Sequence, residues 1–280
     1  MTTRSASALA AAAAVGVAVL LAQAPAPPAN PLTAGQATAP AGGSANPDTK
    51  GAAKGGRGKG RGPQGPTGPT PHLPDGKVDL SGVWNGGGPV GDLAQGLAQG
   101  ETIPLSDLGK KVMAARQSKD DPEANCLPTG IPRQAPYPWR LIQTPTHIFF
   151  LFEGNIHSYR QIFVDGRKHP ADPDPTWYGH SIGSWDGETL VVDTVGFNDK
   201  FWFDFRGHPH TEQLHTIERY TRKDLGSMTV ETEINDPGYY TRPFKVTFTA
   251  RLRPNEELME YICQENQQDA QHLIGGAGLP

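Results

Sequence analysis

Apolar and polar residues alternate with a period of two through the second half of this chain. Met228, Val230, Thr232 and Ile234 alternate with Thr229, Glu231, Glu233 and Asn235. Val246, Phe248, Ala250 and Leu252 point one way, and Lys245, Arg251 and Arg253 the other. Successive side chains of a strand face opposite sides, so this pattern predicts strands with one apolar and one wet face. Further strands are expected over Trp139–Gln143, His147–Glu153, Ser158–Val164, Ser181–Trp185, Thr189–Val195, His215–Arg222 and Leu258–Cys263, after an opening strand at Asp79–Trp84 that buries Trp84. Asp186-Gly187 marks the clearest hairpin turn, and Asp165-Gly166 ends another strand. One short helix is expected within 101–118, capped by Ser106, with Leu108, Val112 and Ala115 on one face. About nine regularly spaced strands predict a mostly β fold: an antiparallel up-and-down barrel or strongly curved sheet, lipocalin-like in general architecture, with a β-sandwich as the alternative. A barrel of this size either fills with side chains or holds one small ligand. The expectation is an enclosed cavity with a histidine-bearing loop over its mouth.

The front of the chain reads differently. Arg4, the apolar run Leu9–Leu21 and Ala22-Gln23-Ala24 predict a signal peptide over residues 1–24. The run is too short to cross a bilayer comfortably, and no later segment is apolar enough, so no membrane span is expected. Residues 25–72 hold little but Pro, Gly, Ala, Thr and Ser, which predicts a disordered linker, with three Gly-Pro-x triplets over Gly62–Thr70. Lys50, Lys54, Arg57, Lys59 and Arg61 make either a solvated tether or a weak contact for anionic envelope polymers. The working domain is expected over 73–268, followed by a flexible tail, 269–280. The net charge of −4 gives no global pull toward nucleic acid. Cys126 and Cys263, exported to the periplasm or beyond, are expected to form a disulfide.

Residues 165–222 concentrate polar and aromatic groups. They include Pro175-Thr-Trp-Tyr-Gly-His-Ser-Ile-Gly183, Trp185-Asp-Gly-Glu-Thr-Leu-Val-Val-Asp-Thr194, Gly196-Phe-Asn-Asp199 and Gly207-His-Pro-His-Thr-Glu212, then Glu218-Arg-Tyr220. With Leu127-Pro-Thr-Gly-Ile-Pro-Arg133 and Glu260-Tyr-Ile-Cys-Gln-Glu-Asn266, these runs resemble an uncharacterised group of exported bacterial proteins. The resemblance spans nearly the whole domain. It implies export and carries no activity.

The residues themselves suggest chemistry. His180 can serve as a general acid or base, because imidazole titrates near neutral pH; the bland alternative is a turn histidine bonded to backbone. Asp193, in an otherwise apolar strand, either pairs with a cation such as Arg219 or is functional. His208, His210 and Glu212 would share one face of an extended strand, as ligands for Zn, Mn or Fe, or as a metal-free polar site, or as structural groups. Trp177, Tyr178, Trp185 and Trp202, with Asn198 and Arg133, are candidate ligand contacts. The first functional expectation is therefore an exported barrel binding a small organic molecule. The second is a metal-dependent hydrolase or lyase using the His/His/Glu set, and the third a structural envelope protein.

Overall fold

The computed structural model describes residues 65–133, 137–154 and 156–265. The leader, most of the linker and the tail expected at 269–280 lie outside the described residues. Nine strands close into a barrel in chain order: β1 (Gly82–Gly86), β2 (Trp139–Gln143), β3 (His147–Phe152), β4 (Ser158–Phe163), β5 (His180–Asp186), β6 (Thr189–Val195), β7 (His215–Arg222), β8 (Ser227–Asn235) and β9 (Phe244–Leu252). A closed ring with an odd number of strands cannot alternate direction all the way round. One neighbouring pair must be parallel, and here it is β4–β5. Only Ile162↔Ser181 and Phe163↔Ile182 pair across that seam, whereas β7 and β8 pair over eight residues. Parallel strands need a crossover rather than a tight turn, and residues 164–179 supply it.

The β5–β6 hairpin is present, one residue later than the sequence suggests. Asp186 pairs with Thr189, so Gly187-Glu188 are the central turn residues. Gly187 has φ +58°, the left-handed value that the first central position of a type II′ turn demands.

The expected enclosed cavity is replaced by a filled interior. Trp84, Leu141, Phe150 and Tyr220 are buried on the inner face, and the Trp84, Trp139 and Phe150 rings follow one another at centroid distances of 6.2 and 5.0 Å. Aromatic side chains of this size occupy the axis of a nine-stranded ring. A second core lies beyond one end of the barrel, where Phe197, Phe201 and Phe203 of the 196–214 connection pack with Leu93, Ile131 and Phe244. Burial of those three phenylalanines orders a connection that is otherwise long for a compact domain.

Three local expectations change. The helix α1 (Asp107–Ala115) is shorter than 101–118, although Ser106 does cap it, accepting from the Gly109 amide at 3.1 Å. Its Leu108 is exposed; contact with the body runs through Gly109, where a Cβ would stand 2.6 Å from the Tyr239 carbonyl oxygen. Leu258–Cys263 forms no strand. It is tied by side chains instead: the Met259 amide donates to Glu153 and the Tyr261 amide to His157. Finally, residues 65–72 lie against the domain, with the Leu225 amide donating to the Gly68 carbonyl at 2.9 Å and the Asp79 amide to Pro71 at 3.0 Å.

Cys126 and Cys263 form the disulfide, with Cα atoms 5.6 Å apart and a sequence separation of 137. Closing a loop of that length stabilises the fold by about 5 kcal/mol in the chain-entropy treatment. Among the described residues no helix is long and apolar enough to cross a membrane.

Candidate functional site

The short β4–β5 pairing leaves the barrel wall open beside the first half of β4. A cleft of about 530 Å³ occupies that gap. Trp177, Tyr178, Phe163 and three prolines (Pro128, Pro170 and Pro173) form its walls; Arg160 and Ser181 touch it from the inner side, and His180 from the outer. The Tyr178 ring stacks on Phe152 at 5.2 Å, and its hydroxyl meets Ser158 Oγ at 2.8 Å. Burial pushes that phenol up to about 12, so it stays protonated. Gly179 sets the approach to His180. Its φ is +66°, and a Cβ there would stand 2.7 Å from both Thr194 Cγ2 and the Val195 carbonyl oxygen.

Strand alternation then splits the polar residues between two faces. Inside, Arg160 Nη1 donates to Glu218 Oε1 at 3.1 Å, Nη2 donates to Glu218 Oε2 and to Thr194 Oγ1, and Nε donates to Ser181 Oγ. The Tyr220 hydroxyl donates to Glu218 at 2.6 Å. Burial disfavours the Arg160 cation, but the Glu218 carboxylate outweighs that and raises the guanidinium above its ordinary value. Burial, then Glu218, raises the Tyr220 phenol well above its own. Every polar side-chain atom of these five residues has a partner. Glu218-Arg-Tyr220, a motif with no role readable from sequence, supplies two of them.

Outside, His180 of β5, Asp193 of β6 and His215 of β7 lie close together. His180 pairs with Val195 and Asp193 with Ile217, so Asp193 lies on the diagonal from His180 and from His215, a separation that long side chains bridge. Asp193 Oδ1 accepts from His215 Nε2 at 2.8 Å and from His169 Nε2 at 3.2 Å. His169, in the crossover, places its Nδ1 2.8 Å from Nδ1 of His180. The His180 ring stacks on Phe163 at 5.2 Å. Partial burial, then His169 and Arg167, lower the His180 pKa, favouring the neutral ring. Its Nε2 has no hydrogen-bond partner among the described residues.

The expected catalytic pair, His180 and Asp193, is therefore connected through His169, which the sequence reading missed. The expected partner of Asp193, Arg219, turns to Asp186 instead, at 3.1 Å. Trp177 and Tyr178 line the cleft. Trp185 sits elsewhere, against the main core and beside a separate cavity of about 250 Å³ with Leu73 and Gln143. Trp202 is buried beneath the Arg116 guanidinium, 4.7 Å from its ring centroid. Asn198 closes a turn, its side chain accepting from the Lys200 amide at 3.1 Å. Arg133 is held by Asp121 at 2.7 Å and Glu123 at 2.7 Å.

His208, His210 and Glu212 do not converge. Residues 207–210 form no strand, so positions two apart do not share a face. His208 Nδ1 meets Asp204 Oδ2 at 2.6 Å. His210 is buried against Phe201, ring centroids 3.8 Å apart, and Glu212 is exposed. Among the described residues, the donors that do gather within 4.8 Å are Asp92, Asp204 and His208. Asp204 there already accepts from the Leu93 amide, the His208 amide and the His208 ring, while Asp92 accepts from the Ala94 amide and faces Arg206 at 3.5 Å. That group ties two loops together.

Comparison with protein-family models, with curated proteins and with solved structures gave no match.

Proposed function

We propose that this chain is an exported protein whose barrel binds a small, ring-bearing organic molecule in the seam cleft. The cleft itself carries the reading. Its volume of about 530 Å³ suits one small ligand, and its walls combine flat aromatic and proline faces with a few polar groups. The run Pro175–Gly183, which resembles a hallmark of exported bacterial proteins, contributes Thr176, Trp177, Tyr178, Gly179, His180 and Ser181 to the lining. Export is further supported by the leader-like segment at residues 1–24 and by the disulfide, a bond that persists in oxidising compartments. A metal-dependent enzyme built on His208, His210 and Glu212 has weaker support, because those side chains face three different surroundings.

Screening a fragment library of small aromatic and pyranose compounds by ligand-observed NMR tests the proposal. Hits are expected to move the Trp177 indole resonance and to bind at least tenfold more weakly to Trp177→Ala, about 1.4 kcal/mol. Hits that bind Trp177→Ala unchanged would place the ligand elsewhere.

A further inference from the structure

We propose that His180 is the proton-accepting group of a catalytic relay, with His169 and Asp193 as its positioning residues, acting on a ring-bearing molecule that carries an acidic O–H or a C–H activated by a neighbouring carbonyl. The inference rests on the cleft reading and adds a reaction to it. The hydrogen-bond directions can be worked out from the acceptor end. An ionised carboxylate only accepts, so His169 donates from Nε2 to Asp193. A neutral His169 then has a lone pair on Nδ1. The contact between the two Nδ1 atoms needs one hydrogen, so His180 supplies it. His180 is thereby held as the Nδ1–H tautomer; its Nε2 keeps a lone pair with no partner among the described residues, on a ring that lines the cleft.

The step balances without a co-reactant. The O–H or C–H bond of the bound molecule breaks, its electron pair stays on the oxygen or carbon, and the proton goes to His180 Nε2. His180 passes its Nδ1 proton to Nδ1 of His169. The positive charge comes to rest on His169 beside Asp193, whose carboxylate stabilises it. The other charged or titratable groups near His180 are Arg167 of the crossover and, beyond Asp193, His215. Asp174, Tyr159, Tyr178 and Arg160 line the same cleft.

The test uses the full chain and p-nitrophenyl acetate as the probe. The Nε2 lone pair attacks the acetyl carbon, the C–O bond breaks with its electron pair leaving on p-nitrophenolate, the Nδ1 proton passes to His169, and water then hydrolyses the acyl-imidazole to acetate and restores the ring. Wild type is expected to release p-nitrophenolate at least tenfold faster than His180→Asn, while His72→Gln, which alters an exposed histidine 3.1 Å from Glu188, keeps the wild-type rate. Asp193→Asn and His169→Gln should fold and lose most of that advantage. In wild type the rate should rise with pH through a midpoint below 6.5, the ordinary imidazole value. Asp193→Asn should move that midpoint lower still, because the lost anion no longer favours the cation; a merely structural Asp193 would leave it in place. Nitrogen-15 NMR should show His180 as the Nδ1–H tautomer in wild type and not in His169→Gln. A wild-type rate equal to that of His180→Asn, or an Nε2–H tautomer, overturns the relay. Binding of p-nitrophenol, read at Trp177, keeps the two proposals apart: binding without a rate advantage rejects the relay alone, and a rate advantage with the expected tautomer but no shift at Trp177 upholds the relay and rejects the cleft.

Discussion

The inner and outer faces of β5, β6 and β7 carry two polar networks built from adjacent residues and opposite rules. Ser181, Thr194 and Glu218 face inward and, with Arg160 and Tyr220, form a sealed knot in which every polar side-chain atom is used. His180, Asp193 and His215 face outward and, with His169, form a chain that ends on an unused nitrogen. The inner network has to be complete, because a buried charge without a partner costs several kcal/mol. The outer one meets water and a cleft, where a spare lone pair costs little and is free to react. Saturation thus separates polar groups that hold the barrel together from those able to do chemistry.

The largest effect should come from breaking the knot. Glu218→Leu leaves Arg160 buried and unpaired, and should cost about 3–5 kcal/mol in urea unfolding. The double variant Arg160→Met/Glu218→Leu should recover most of that loss, since two apolar residues need no partners. If the double variant is no more stable than the single one, the knot is not the balanced pair that the comparison requires.

A third histidine sharpens the contrast. His210 also leaves its Nε2 without a well-formed hydrogen bond, yet it is 1% exposed and lines neither of the two cavities described above. Its Nδ1 donates to the Thr211 carbonyl, and burial pulls its pKa down to about 4. The folded state therefore resists protonation while the unfolded chain accepts a proton near pH 6.5, so the contribution is complete above 6.5 and is lost as the pH falls toward 4. The loss should reach about 3 kcal/mol at pH 4. Denaturant midpoints measured between pH 7 and 4 should fall for wild type and flatten in His210→Gln. An unused nitrogen is a reactive group only where a ligand can reach it.

Sequence made the two faces partly legible. Parity groups Arg160 with Ile162, and Glu218 with Thr216 and Tyr220, and those are the buried sides of β4 and β7; the residues alone do not say which side is inner. The same parity sets His180 and Asp193 on the opposite side of the sheet. What parity cannot supply is His169, which lies in the Arg167-Lys-His-Pro crossover where no period exists. Nor can it say where the parallel pair falls. Nine closed strands require one, but the connections 87–138, 164–179 and 196–214 are all long enough to make the crossover. The expected His208/His210/Glu212 face failed because Gly207 and Pro209 interrupt extended pairing, and a period-two argument needs a strand beneath it.

The smallest effect on stability tests the outer chain. Asp193 and His215 are both 39% exposed at the side chain, so water screens their ion pair and its net contribution should stay below about 1 kcal/mol. Asp193→Asn, His215→Gln and the double variant form a thermodynamic cycle; urea unfolding should give a coupling energy under about 0.5 kcal/mol, smaller still in 1 M salt, where charges are screened over about 3 Å. The inner pair, run through the same cycle, should couple several times more strongly and ignore the salt. A large, salt-insensitive coupling between Asp193 and His215 would mean that the outer chain is also a structural clamp, and the division between the two faces would fall. A weak one leaves Asp193 with little part in stability, and its carboxylate is then best explained by what it does to His169 and, through it, to His180.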